Sequence, residues 1–182
     1  RTADPGELID TLILGPCATP VLYLKQISSH LTGLDRAFLD ETDNILLTRE
    51  PHDMLTSFAR HLPEATIDDT GLPHQVELLD DIVARGGAPI VVDSRTLLSD
   101  PPRVLARLCD RLGLAFDEAM LSWPAGPKPE DGAWAPWWYD TVHRSTGFAP
   151  YRPKSDPLPE SLRAVLAEAE PLHDRLRAHA ID

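Results

Sequence analysis

The sequence predicts an α/β fold, a parallel sheet flanked by helices, with a Trp/Pro-rich loop and a C-terminal helix. Three observations predict it. Apolar runs of strand length stand at residues 21–24 (VLYL), 45–48 (ILLT) and 90–92 (IVV). Their apolar character is continuous rather than alternating, as in parallel strands buried on both faces. The segments between them carry apolar residues at helical spacing, and strands that alternate with helices form a parallel sheet.

The elements follow in order. Residues 5–14 (PGELIDTLIL) read as a short helix with Pro5 in its first turn, where no N–H is needed. GPCATP breaks the chain before the first strand. DRAFLDE, 35–41, forms a second short helix ahead of the second strand. Residues 52–61 make a helix with Met54, Leu55, Phe58 and Leu62 inward. DDTGLP starts the next helix, in which Leu72, Val76, Leu79 and Val83 repeat until RGG caps it. After the third strand, SRTLLSDPP turns the chain into an amphipathic helix over 102–112, and FDEAML adds a short helix. Residues 123–157 hold all four tryptophans and seven of the 18 prolines. That stretch is too proline-rich for a regular element and too aromatic for a disordered linker. Long loops of this kind are often functional. A last helix covers 158–178, with Leu162, Val165, Leu166 and Leu172 as its stripe.

A chain of 182 residues makes one domain. A domain this size buries about 70% of its unfolded surface and requires no disulfide or metal staple. The expected unit is a single α/β domain over 1–182 without its N-terminal portion, because the chain starts at Arg1 and not at Met. Cys17 and Cys109 do not form a secreted disulfide framework. Cys109, among Val104, Leu105, Leu108 and Leu112, reads as a small buried hydrophobe. No apolar run approaches the roughly 20 residues that span a bilayer, and the start carries no signal peptide. The expected location is therefore cytoplasmic, away from membranes. A net charge of −12 argues against a nucleic-acid partner, since that affinity rests on Lys and Arg contacts. It leaves room for a small anion in a local basic pocket.

In open parallel sheets, ligands bind at the carboxyl ends of the strands. Lys25, Arg49 and Asp93 all fall at such ends, and Ser57 follows Arg49 by eight residues on the next helix. Two readings of Arg49 and Ser57 are open. Both groups hold an anion, or Arg49 is solvated and Ser57 is a small packing residue. The seven histidines are scattered, with no HxxxH and no CxxC, so no metal site is expected. A G-x-S-x-G elbow and a G-x-x-x-x-G-K-[ST] phosphate loop are both absent.

Three segments together resemble the PAPS-dependent sulfotransferases (PAPS is 3′-phosphoadenosine 5′-phosphosulfate). The resemblance spans about residues 20–150 and is nearest to bacterial sulfotransferase-like proteins with DTGLP and SWPAGP segments. REPHDMLTS is similar to the family segment whose Arg and Ser bind the cofactor 3′-phosphate, and Arg49 and Ser57 occupy those places. Arg suits the role because a planar guanidinium grips two phosphate oxygens at once. GPKPEDGAW resembles the late loop that closes over the same phosphate, with Lys128, Gly132 and Trp134 at the matching spacing. The family usually has Arg before that Lys, where this chain has Pro127. VLYLKQISSH resembles the strand end that carries a Lys and a catalytic His. Lys25 matches the Lys, Ile27 occupies the His place, and His30 is the nearest replacement. VVDSRTLLSDPP also has the family's look, with Asp93 and Ser94 capping a turn. The family's phosphosulfate-binding loop has no counterpart before Val21; residues 1–20 resemble an insert downstream of it.

The resemblance implies a P-loop nucleotide-transferase-like fold and transfer of a sulfuryl group from PAPS to a hydroxyl or amine of a small molecule, without a metal. An acceptor atom attacks sulfur in line and adenosine 3′,5′-bisphosphate leaves. Lys25 stabilises the sulfuryl oxygens and His30 takes the acceptor proton, a task suited to imidazole. Arg49, Ser57, Lys128, Gly132 and Trp134 hold the cofactor. Trp137, Trp138 and Tyr139 wall the acceptor pocket, or else form an apolar cluster under the loop. Two rivals stand beside this reading: a non-catalytic nucleotide- or partner-binding module of the same fold, and a small-molecule kinase. No charge pattern selects a sugar, steroid, phenol or amine as acceptor, and a homodimer is compatible with the sequence.

Overall fold

The computed structural model describes residues 4–59, 61–129, 131–132, 135 and 139–182. Two parallel strands lie at its centre, β1 (Ile45–Thr48) and β2 (Ile90–Asp93), with Ile45 opposite Ile90 and Thr48 opposite Asp93. Around them run α1 (Pro5–Leu8), α2 (Pro51–Phe58), α3 (Leu72–Ala84), α4 (Ser94–Ser99), α5 (Pro101–Arg111), α6 (Asp140–Arg144) and α7 (Arg163–Arg177). Successive strand residues point to opposite faces, and helices cover both. Leu46 and Val91 pack against Leu72, Val76 and Leu79 of α3 and Ala169 and Leu176 of α7. Ile90 and Val92 pack on the other face against Leu97 of α4 and Val104 and Leu108 of α5. The C-terminal residues run along the free edge of β2, where Ile181 N donates to Val91 O at 2.9 Å. Among the described residues, no helix is long and apolar enough to cross a membrane.

The expected parallel pairing of 45–48 with 90–92 is present. The expected strand at 21–24 is not. Val21, Leu22 and Tyr23 are 50%, 42% and 77% exposed. Among the described residues, no backbone hydrogen bond joins this run to β1 or β2. A strand exists only through the ladder its neighbour supplies, and apolar character reports a preference for burial without naming that neighbour. The sheet of the described residues therefore has two strands, not three.

Smaller corrections follow from local geometry. Leu62 lies past the end of α2 and is 41% exposed; Val83 is 48% exposed because Leu78 and Ile82 take the inner places on α3. SRTLLS is a helix rather than a turn, since Asp93 accepts from Thr96 N at 2.9 Å and caps it. Residues 9–13 form a π-helical turn and 37–41 a 3₁₀ turn, where ordinary short helices were expected. The last helix opens with a 3₁₀ turn, Glu160–Leu162. Cys109 is buried, as its setting implied, with its sulfur 3.8 Å from that of Met120.

Asp93 also ties the sheet to α7. Its Oδ2 lies 3.3 Å from His173 Nε2, and both side chains are buried. Burial alone would push the Asp93 carboxyl up. The His173 hydrogen bond and those from Thr96 N and Oγ1 outweigh it and hold the group below its ordinary value. A lowered carboxyl adds stability that is complete above the unfolded value of about 3.9 and disappears as pH falls through the folded value. Urea midpoints measured from neutral pH down to about pH 2 should fall less steeply below pH 4 in Asp93→Asn than in the parent. Parallel acid limbs would remove Asp93 from that role.

Candidate active site at the carboxyl ends of the strands

The carboxyl end of β1 delivers Thr48, Arg49 and Glu50 in sequence, and α2 starts at once. Pro51 at the first helical position fixes the turn. Glu50 caps it, accepting from His52 N at 3.2 Å and Asp53 N at 2.8 Å. A protein carboxylate therefore already occupies the helix N-terminus. Arg49 is exposed, and among the described residues its guanidinium has no hydrogen-bonding or ionic partner, although the chain carries 29 acids. Thr48 Oγ1 is buried beside it with no hydrogen-bond partner among the described residues.

Ser57 is half-buried in the last turn of α2. Its hydroxyl donates to Asp53 O, four residues back, at 3.0 Å. A hydroxyl has one proton, so in this rotamer the Ser57 oxygen can only accept from other groups. The group that donates to it is the Nζ of Lys154. Sequence reasoning missed Lys154, and with it Asp53 and Tyr151. Asp53 is 3% exposed and takes two neutral donors, Tyr151 OH at 2.9 Å and Lys154 N at 2.8 Å. Burial, and then the bond to Asp53, push the Tyr151 phenol up, so it remains a donor. Arg95 lies over the Tyr151 ring, 5.5 Å from its centroid. The only signal in the sequence was a pair of cations, Arg152 and Lys154, flanking Pro153. Nothing local told which of them turns toward α2. Glu50, His52 and Asp53 place ligand-type atoms within 4.8 Å of one another. Both carboxylates are committed to capping and to the 151–154 segment.

The Trp/Pro-rich segment is closed at its base. Ser122 and Gly147 form an antiparallel bridge, Trp123 Nε1 donates to Ser145 Oγ at 2.9 Å, and the Trp123 and Phe148 rings meet edge to face at 5.3 Å. Inside it, Asp131 accepts from Lys128 N and pairs with His143 Nε2, both at 2.8 Å. Those two contacts hold the Asp131 carboxyl below its ordinary range. The Lys128 side chain is exposed, and Gly132 O accepts from Ala135 N at 3.0 Å. Among the described residues, no hydrogen bond or ion pair links Lys128 or Gly132 to Arg49 or Ser57. Tyr139 is half-buried and packs edge-on against His143 at 5.9 Å. Trp134, Trp137 and Trp138 lie outside the described residues.

Lys25 and His30 are exposed. His30 sits in a 3₁₀ turn, Ser28–Leu31, which is tied to the start of α3 by Ser28 Oγ donating to Gly71 O at 3.2 Å. Gly71 has φ +69°, a left-handed conformation that side-chain-bearing residues resist, and a Cβ there would stand 3.1 Å from Ser28 Oγ. A cleft of about 460 Å³ opens between residues 26–29 and 68–71, floored by His74 and Gln75. Lys25 and His30 flank its wall in sequence but do not line it.

The arrangement is thus a strand-end guanidinium, a buried hydroxyl without a hydrogen-bond partner among the described residues, and the Lys154 ammonium seated on Ser57 of the helix that follows. These are donors suited to a phosphate-type anion. Two proteins of Arabidopsis thaliana, branched-chain-amino-acid aminotransferase-like proteins 2 and 1, are each 36% identical to the chain, over 177 and 174 residues. The matches cover 97% and 95% of this chain but 32% and 31% of the plant proteins, so the chain spans about a third of the length of these relatives. No solved structure matches it. A family profile described as a sulfotransferase domain matches residues 2–180, a range that holds every residue named in this site, and the chain belongs to that family.

Proposed function

We propose that the protein transfers a sulfuryl group from PAPS to a hydroxyl or amine of a small molecule, on a fold of the P-loop nucleotide-transferase type. The observation that carries this reading is the placement of Arg49. It stands, without a protein partner among the described residues, at the carboxyl end of a parallel strand, with Ser57 on the helix directly after it. Family membership supplies the reaction class. When bound, PAPS supplies the sulfuryl group and leaves as adenosine 3′,5′-bisphosphate. Arg49 and Ser57 bind the 3′-phosphate. Lys128, Gly132 and Trp134 close over it. Lys25 steadies the sulfuryl oxygens and His30 takes the acceptor proton. Trp137, Trp138 and Tyr139 wall the acceptor. Charge spreads over equatorial oxygens in such transfers, so positioned cations do most of the catalytic work.

Calorimetry with adenosine 3′,5′-bisphosphate and with adenosine tests the central assignment. Arg49→Ala removes a charged hydrogen-bonded contact worth about 1.5–3 kcal/mol, roughly 10- to 150-fold in affinity. The loss should appear with the bisphosphate and not with adenosine. Equal losses for the two ligands would count against a phosphate at Arg49.

A further inference from the structure

We infer that Lys154 is a phosphate-binding residue of this site, delivered by a strap of residues 151–154 that the buried Asp53 holds against α2. The inference rests on the reading of Arg49 and Ser57 given above. It starts from the Ser57 hydroxyl. One proton is available to it, and that proton goes to Asp53 O. An anion that approached Ser57 in this rotamer would meet oxygen lone pairs, not a donor. Lys154 changes that. Its ammonium sits on the Ser57 oxygen, so the donor and the positive charge at this point both come from the strap.

The strap is built to hold that charge in place. Asp53 accepts the Lys154 backbone N–H at 2.8 Å and the Tyr151 hydroxyl at 2.9 Å, across about a hundred residues of chain. These are neutral donors, so the carboxylate fixes the backbone of Lys154 through its amide. Arg95 braces the other end by stacking on Tyr151. A lysine whose backbone is fixed in advance loses less conformational entropy when it meets a ligand. Glu50 and Asp53, the carboxylates at the start of α2, both accept hydrogen bonds from the protein.

The test compares adenosine 3′,5′-bisphosphate with adenosine 5′-monophosphate, which lacks the 3′-phosphate, by calorimetry on the parent, Lys154→Ala, Lys154→Arg and Arg49→Ala proteins. Lys154→Ala should weaken the bisphosphate by about 10-fold or more and leave the monophosphate nearly unchanged. Lys154→Arg should recover most of the loss, because the charge returns on a side chain that still reaches. Thermal melts accompany each variant. If Lys154 only ties the strap to α2, both ligands weaken together or neither does, and the inference is overturned. Selective loss in Arg49→Ala without selective loss in Lys154→Ala sinks Lys154 alone. A parent protein that binds the two nucleotides equally sinks the phosphate site itself.

Discussion

Replacing His30 with alanine should lower turnover by about 10²- to 10⁴-fold, the usual contribution of a positioned general base. Affinity for adenosine 3′,5′-bisphosphate should stay unchanged, because the proposed roles of His30 and Arg49 are separate. The structure makes the experiment clean. His30 is exposed, and the 3₁₀ turn that carries it is fixed by Ser28 and by its own backbone, His30 N to Ile27 O at 2.9 Å, not by the ring. Removal of the ring should therefore cost no more than about 0.5 kcal/mol of stability. A fall in turnover can then be read as lost chemistry. Normal turnover in the variant would return His30 to the status of a surface residue. The next candidate would be His143 in the tryptophan loop, which Asp131 orients at 2.8 Å.

The second large effect is on stability. Leu55→Ala should destabilise the protein by about 2–5 kcal/mol, the range for deletion of a fully buried leucine side chain. In a domain of this size that corresponds to a fall in Tm of roughly 5–15 °C. Leu55 is 0% exposed and packs with Ala65 and Leu162, so it joins α2 to the start of the C-terminal helix. It also lies between Asp53 and Ser57 on the same helix. A cavity there should loosen the strap as well as the core. Leu62→Ala is the control. Leu62 is 41% exposed, and its loss should cost well under 1 kcal/mol. Urea melts of the two variants decide the matter; equal destabilisation would mean that the buried face of α2 has been misassigned.

Much of the framework was legible because it rests on local rules. The runs 45–48 and 90–92 are apolar throughout and separated by helical spacing, and they pair in parallel in register. The helix after β1, the DDTGLP helix entry and the Asp93 cap each follow from local chemistry. Arg49 and Ser57 were singled out by a fixed spacing from a strand end into a helix. The structure adds what no spacing records: the Ser57 proton goes to the carbonyl one turn back, and Lys154 donates to its oxygen.

What the sequence alone determined, then, is the α/β alternation and the parallel pairing of 45–48 with 90–92. Tertiary structure decided three other things. Residues 21–24 have a strand's composition but no ladder, because pairing depends on a neighbour and not on the run itself. Lys154 reaches Ser57 because a buried carboxylate, Asp53, requires donors and finds them about a hundred residues away. Asp93 bonds to His173 on a helix 80 residues later for the same reason. A buried charge must be satisfied by whatever the fold brings to it, and no local pattern records which distant residue that will be.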